Sequence, residues 1–473
     1  MLHTKIICTI GPASDSAEIL ERLADSGMNV VRLNFSHGTH DSHRQIVKKV
    51  RNLNQNREFP VSILLDTKGP EIRTGDQHLK LITGSKINVV CDPNLLDGNH
   101  LFVDYPHLIN QLEQGNHILL DSGLVKLEVL ENKGNSLMCR VMDGGMITPK
   151  RHVNLPGILV KLPGITDSDR RDLEFALEED VDVVALSFLR NRYTIMEVRE
   201  MFGEKGEQIK IIAKIENQEG VDNLEEIVQE ADGVMVARGD LGIEIDMEEL
   251  PHIQRKIAFL CAKYGKRLIV ATQMLESMIE NPMPTRAEIT DIANAVFEQS
   301  DAIMLSGETS TGKYPIRCVE TLVKIARRTE NYPGVQFTEN LIQEDGPDET
   351  QGKGRQMLAA AATRIARQLK VPGIVVITRK GRGAIKMSNM RVRSIPIFAF
   401  TETEKTRSTL MLLRGVYPYL LQFSEDPEET IQNALTLLKE KQDMPEGVSI
   451  VVIADIMTGE GYVNCLQIRT LPE

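Results

Sequence analysis

No two cysteines stand in a C-x-x-C pair: the six (Cys8, Cys91, Cys139, Cys261, Cys318, Cys465) are scattered along 473 residues. That spacing offers neither a zinc ligand set nor a disulfide framework, and reads as reduced, mostly buried thiols of a cytoplasmic protein. No apolar run approaches the roughly 20 residues that span a bilayer, and Met1-Leu2-His3-Thr4-Lys5 has no secretory apolar region, so no membrane association is expected. A basic block is missing too. Lys and Arg number 55 against 67 Asp and Glu, a formal net charge of −12, which disfavours non-specific binding to nucleic acid or anionic lipid. Internal repeats and low-complexity tracts are also absent.

What is present is a globular composition, 41% hydrophobic and 26% charged, too apolar for a disordered chain. At roughly 150 residues per domain the length implies about three domains. Short β-branched runs recur at Lys5–Thr9, Asn29–Leu33, Val61–Leu65, Asp182–Ser187, Lys210–Lys214, Gly233–Ala237, Arg267–Ala271 and Asp301–Leu305. Amphipathic stretches such as Ser16–Asp25, Tyr193–Phe202 and Ile253–Lys263 lie between them. Alternation of this kind implies parallel strands with crossover helices, and eight such strands close a (β/α)8 barrel. An open doubly wound sheet is the alternative on counting alone.

Between the third and fourth runs, Pro70 to Pro163 lack helical periodicity and carry short alternating segments (Ser85–Cys91, His117–Leu120, Leu124–Leu130, Ser136–Val141) broken by Gly, Asn and Asp. The expectation is a small all-β domain, 70–164, inserted into a loop at the catalytic rim of the barrel (1–69 and 165–337), where it acts as a lid. A polar linker, 338–354, then leads to a C-terminal α/β domain, 355–473.

Residues after the strands are polar on nearly every strand end. Lys214 and Glu216 flank Ile215, so both point into one mouth. One reading is a structural ion pair. The other is a hard cation, Mg²⁺ or Mn²⁺, held by Glu216 and Asp240, with Lys214 facing a developing negative charge. Arg238-Gly239-Asp240-Leu241-Gly242 opens a helix whose backbone N–H groups can hold an anion, and Thr272 offers a hydroxyl beside it. Arg32 and Arg73 bring guanidinium forks suited to phosphoryl oxygens. Asn34, Ser36, Asp66 and Thr67 suit either a monovalent cation or hydrogen bonding among themselves.

The blocks Arg32–Gly38 (RLNFSHG), Leu65–Gly75 (LDTKGPEIRTG), Ile211–Asn217 (IIAKIEN), Val236–Gly242 (VARGDLG), Ala271–Met278 (ATQMLESM), Pro284–Glu288 (PTRAE) and Met304–Thr309 (MLSGET) together resemble the pyruvate kinase family over essentially the whole chain. The resemblance implies transfer of phosphate from phosphoenolpyruvate to ADP, giving pyruvate and ATP. It places Mg²⁺ on Glu216 and Asp240, Lys214 on the phosphoryl group, and the substrate carboxylate on Gly239, Asp240 and Thr272, with Arg32 on its phosphate. Arg73 with Asn34, Phe35, Ser36 and His37 then meets the nucleotide, as does Arg151, and Asn34, Ser36, Asp66 and Thr67 hold K⁺. Glu71 stands where K⁺-dependent members carry Glu and independent ones Lys. For protonation of the enolate the family suggests a Thr272-linked hydroxyl and water chain. A homotetramer is also implied.

Two departures stand out: Asp121-Ser122 replaces the usual pair of aspartates, and Arg151 replaces a nucleotide-contacting lysine, keeping charge but changing hydrogen-bond geometry. In the C-terminal domain, Thr378-Arg379-Lys380-Gly381-Arg382-Gly383 between a strand and a helix resembles the family's loop for a phosphorylated effector. The expected partner loop, Thr458–Asn464, differs from the fructose-1,6-bisphosphate-binding version, and its Glu460 would repel a second phosphate. The rival readings are another Mg²⁺-dependent lyase or aldolase barrel acting on pyruvate-like acids, and a non-catalytic metabolite-binding homologue.

Overall fold

The structure, a computed structural model, describes residues 1–97, 100–335, 350–458 and 461–472. Eight parallel strands close a barrel: β1 (Lys5–Thr9), β2 (Val30–Asn34), β3 (Ser62–Asp66) and, after the insert, β13 (Val183–Leu186), β14 (Lys210–Ile215), β15 (Gly233–Ala237), β16 (Arg267–Ala271) and β17 (Ala302–Leu305). Every sequence-derived strand of the barrel is present, three with the expected bounds and the other five with ends displaced by one residue. The closed sheet excludes the open doubly wound alternative. The bore is filled by Ile7, Val30, Leu64, Ile212, Met235 and Met304, so it is a packed core.

Local sequence sets the helices. Thr285 caps Arg286–Phe297, and Glu288 returns a hydrogen bond of 2.7 Å from the Thr285 N–H, a capping box. Glu288 also accepts from the Ser277 N–H at 2.8 Å, so the PTRAE block is architectural. Glu308, of the MLSGET block, accepts from the Ser306 N–H at 2.7 Å and the Leu275 N–H at 3.0 Å, tying two rim segments together.

Among the described residues the insert is all-β apart from short helical turns at Pro93–Leu95 and Leu108–Gln111. Its strands β4 (Ile72–Arg73), β6 (Lys86–Val90), β7 (His100–Phe102), β8 (His117–Leu120), β9 (Val125–Asn132), β10 (Leu137–Asp143) and β12 (His152–Asn154) form one sheet, while β5 (Leu79–Leu81) pairs with β11 (Gly145–Ile147). It has its own core, centred on Val89, Leu101, Leu127 and Val141.

The C-terminal domain orders β20 (Val416–Leu420), β19 (Ile397–Thr401), β18 (Ile374–Ile377), β21 (Ser449–Thr458) and β22 (Gly461–Thr470). Its first helix, Thr350–Leu369, begins inside the stretch read as linker; residues 338–349 of that stretch lie outside the described residues. This domain seals the barrel floor. Leu412 packs into the bore, Arg391 binds Asp301 through two bonds of 2.7 and 2.6 Å, and Ser408 donates to Asp182 at 2.6 Å.

Candidate active site

The C-terminal ends of β2, β3, β13 and β14 bring a charge cluster together at the barrel mouth. Lys214 Nζ lies 3.1 Å from Asp66 Oδ1 and 3.0 Å from Glu216 Oε1, and donates to Ser187 Oγ at 2.6 Å. Ser187 in turn donates to the Thr67 carbonyl at 2.6 Å and lies 3.2 Å from Asp66 Oδ1. Arg32 closes the set: its Nε donates to Asp66 Oδ2 at 2.6 Å and its Nη1 to Thr9 Oγ1 at 2.9 Å. Nη2 is left without a protein partner among the described residues, and it is the edge on which an anion can seat.

All four charged groups are buried, and burial works against the ionised forms of Lys214, Asp66 and Glu216. Burial draws the Lys214 ammonium down, but Asp66 and Glu216 outweigh it and hold it above the ordinary lysine value. Burial also opposes ionisation of Asp66, yet Lys214 and Arg32 keep its carboxyl below the usual range. Glu216 goes the other way. Burial pushes it up to about 7; Lys214 opposes that shift and the like charge of Asp240 adds to it. Its Oε2 accepts one hydrogen bond, 2.7 Å from the Phe188 N–H.

Glu216 and Asp240 fit a divalent cation on these grounds. Two hard oxygen donors repel one another at a site where burial discourages ionisation, and a dication relieves both penalties. Among the described residues no group of three or more His, Cys, Asp or Glu gathers as a metal site. Two carboxylates with water and substrate oxygens suit Mg²⁺ or Mn²⁺ far better than zinc.

Across the mouth, Thr272 and Gln273 both adopt left-handed backbone, φ 66° and 55°, an unusual conformation for a β-branched residue. Arg238 holds the turn: Nε donates to the Ala271 carbonyl at 3.2 Å, Nη2 to the Thr272 carbonyl, and Nη1 pairs with Asp291 of the helix Arg286–Phe297. Thr272 Oγ1 accepts from the Gly239 N–H at 2.9 Å and donates to the Ala271 carbonyl at 2.7 Å. The two groups read as carboxylate-binding are thus brought together and presently satisfy each other, so a carboxylate ligand must compete with these bonds.

The inserted β domain reaches the same mouth. The His152 ring lies 5.6 Å from that of Phe188, and Asn154 donates to Glu244 on the helix that carries Asp240. Arg73 pairs with Glu71 at 2.7 Å and donates to the Lys150 carbonyl at 2.7 Å. Arg151 lies 3.3 Å from Asp121; Asp121 and Ser122 occupy left-handed backbone at φ 52° and 58°. Asn34 Oδ1 accepts from the Ser36 N–H at 3.2 Å. Phe35 stacks on His43 at 4.2 Å, and the carbonyl of His37 contacts the His43 ring at 2.9 Å.

In the C-terminal loop, Thr378 is buried and Gly381 caps the helix Arg382–Asn389 at φ 77°, which glycine adopts without strain. A Cβ on Gly383 would meet Val376 Cγ1 at 2.9 Å. Arg379 pairs with Glu402 and lies 5.0 Å from the Phe423 ring, while Lys380 points to Glu207 at 3.5 Å. Residues 459 and 460 of the expected partner loop lie outside the described residues. Sequence reasoning assigned no role to Ser187, Thr9, Arg238 or Asp291; for the first three the polar character of the strand ends was the only signal, and Asp291, inside the helix Arg286–Phe297, gave none.

Two family profiles match the chain: "Pyruvate kinase, barrel domain" over residues 1–319 and "Pyruvate kinase, alpha/beta domain" over residues 356–469. Among curated relatives, a "Pyruvate kinase" of Sporosarcina psychrophila is 41% identical over all of this chain and 81% of its own length. One of Dictyostelium discoideum is 40% identical over all of this chain and 95% of its own. One of Staphylococcus epidermidis is 41% identical over 99% of this chain and 80% of its own.

Proposed function

Since the chain belongs to the pyruvate kinase family and is a phosphotransferase, we propose that it carries the phosphoryl group of phosphoenolpyruvate to ADP at this mouth, the last step of glycolysis. One observation carries the reading: a buried ammonium, Lys214, held between two carboxylates beside a guanidinium with a free edge. Phosphoryl transfer demands positioning and charge neutralisation and little covalent work from the protein. The phosphoryl group leaves the enol oxygen and joins the terminal oxygen of ADP. Lys214 sits where charge gathers in flight, and Arg32 orients the phosphate through Nη2. Gly239, Asp240 and Thr272 orient the carboxylate once it displaces their mutual bonds. The enolate then takes a proton on carbon, and the Thr272 hydroxyl is the group beside it. Glu216 and Asp240 would hold Mg²⁺ or Mn²⁺, which supplies charge neutralisation when bound.

The nucleotide phosphates are assigned to Arg73, Arg151 and the segment Asn34, Phe35, Ser36 and His37. K⁺ is assigned to Asn34, Ser36, Asp66 and Thr67. The Thr378–Gly383 loop is assigned to a phosphorylated effector, and the assembly is read as a cytoplasmic homotetramer, which light scattering measures directly. A coupled assay for pyruvate from phosphoenolpyruvate and ADP tests the central reading; no turnover with both cations present would reject it. Omitting K⁺ should lower the rate by at least about tenfold, or roughly 1.4 kcal/mol of transition-state stabilisation. Full activity without K⁺ would refute the inference from Glu71.

Glu216 also makes a pH prediction. With its carboxyl at about 7, it is mostly protonated at about pH 6, so binding a divalent cation should expel on the order of one proton there. Apparent affinity should rise by roughly tenfold per pH unit below about 7 and level off above it. Titration calorimetry with Mn²⁺ in two buffers of different ionisation enthalpy measures the proton count. A count of zero at that pH would remove Glu216 from the metal site.

A further inference from the structure

We propose that the cavity where the barrel floor meets the C-terminal domain is a binding site for a small polyanion, bridging Lys210 and Arg267 of the barrel to Lys380 and Arg382 of the C-terminal domain. The cavity measures about 260 Å³, room for about eight waters. A diphosphate, a sugar phosphate or a tricarboxylate fits such a space.

It is separate from the active site. Lys210 opens β14 and Arg267 opens β16, whereas Lys214 lies four residues along the same strand, about 13 Å toward the opposite end. Four cationic side chains line the cavity against one acid, Glu207. Glu207 pairs with Lys380 at 3.5 Å, both side chains two-thirds exposed, a weak pair, and acts on Lys210 only through its longer-range charge. Among the described residues Arg267 Nη1 bonds only the carbonyls of Asp232 and Gly265, at 3.5 and 3.4 Å. The side chains of Lys210 and Arg382 have no hydrogen bond or ion pair among the described residues. Burial draws both Lys210 and Arg267 below their ordinary values, and the nearby carboxylates, Asp232 for both and Asp301 for Arg267, oppose the shift without cancelling it, the sign of positive charge partly removed from water. An anion in the cavity adds counter-charge.

The effector reading of the Thr378–Gly383 loop is deepened here, and the inference rests on it for the loop's anion preference. The loop has two sides. Arg379 turns away to Glu402 and Phe423, while Lys380, Gly381 and Arg382 line the cavity. Its apolar wall includes Ile212 and Leu412, which also belong to the barrel bore. A ligand there draws the two domains together at the point where Leu412 enters the barrel.

Calorimetric titration of the full chain with inorganic pyrophosphate, and separately with citrate, tests this. Lys210→Gln and Lys380→Gln should each weaken a binding component by about tenfold or more, Glu207→Gln should tighten it, and Arg379→Ala should leave it unchanged. Pyrophosphate alone showing that component identifies a phosphorylated ligand; citrate alone, a polycarboxylate. Binding that survives Lys210→Gln and is lost in Arg379→Ala overturns the interdomain site and leaves the loop's effector role standing. No binding of either probe beyond what Arg32→Ala removes overturns both.

Discussion

Replacing Lys214 with methionine should lower kcat on the order of 10³-fold or more in a protein that still folds. Among the described residues the ammonium is the only cation that touches both Asp66 and Glu216, and Arg32 does not take its place, being already committed to Asp66 and Thr9. Removing one partner of a buried ionic set leaves the others uncompensated, which costs on the order of 3–5 kcal/mol. Glu216 softens the loss, because its carboxyl is already pushed up to about 7 and takes a proton more readily once Lys214 is gone. Asp66 keeps Arg32. The variant should therefore unfold at lower urea than the parent at neutral pH, with a smaller gap at about pH 5, where a protonated Glu216 needs no partner. The coupled assay gives kcat, and denaturant titration at the two pH values gives stability. A near wild-type kcat would show that the ammonium only ties the rim together.

Much of this was legible in the chain because parallel strands buried on both faces read as unbroken β-branched runs, as in Lys210–Ile215 and Gly233–Ala237. Strand β20 is hard to read from the chain for an equally physical reason. Its sequence, VYPYL, carries Pro418, which argues against a strand; β20 lies at the sheet edge, where a missing N–H is tolerated. The two- and three-residue strands of the insert, such as Ile72–Arg73 and Gly145–Ile147, are too short for any period to show, and partners across the sheet fix their register. The rim was legible one strand at a time through alternation at Lys214 and Glu216. The pairings between strands, Ser187 with Lys214 and Arg238 with Asp291, were not, since nothing along one strand specifies what its neighbour presents. Leu412 is the extreme case. Its sequence context is a leucine-rich segment of a separate domain, yet it completes the barrel's core.

That junction carries the second large effect. Arg391→Met should destabilise the seam between barrel and C-terminal domain by on the order of 3–5 kcal/mol at neutral pH. Asp301 opposes ionisation through burial, and Arg391 more than compensates, holding its carboxyl below the usual range. Since the folded value is depressed, the stability it contributes is present above the unfolded value of about 3.9 and is lost as pH falls through the folded one. Without Arg391 the sign reverses. Asp301 keeps N–H donors from Leu268 at 2.9 Å and Arg414 at 3.2 Å, but burial now raises its carboxyl, so the variant recovers relative to the parent as pH drops from 7 toward about 4.5. The chain has separate cores, so urea unfolding should be followed as distinct transitions, with the deficit confined to those of the barrel and the C-terminal domain. Pairing Arg391→Met with Asp301→Leu removes the stranded carboxylate and should restore part of the loss. A deficit unchanged between the two pH values, or deepened by the second substitution, would mean that the guanidinium acts here through packing alone.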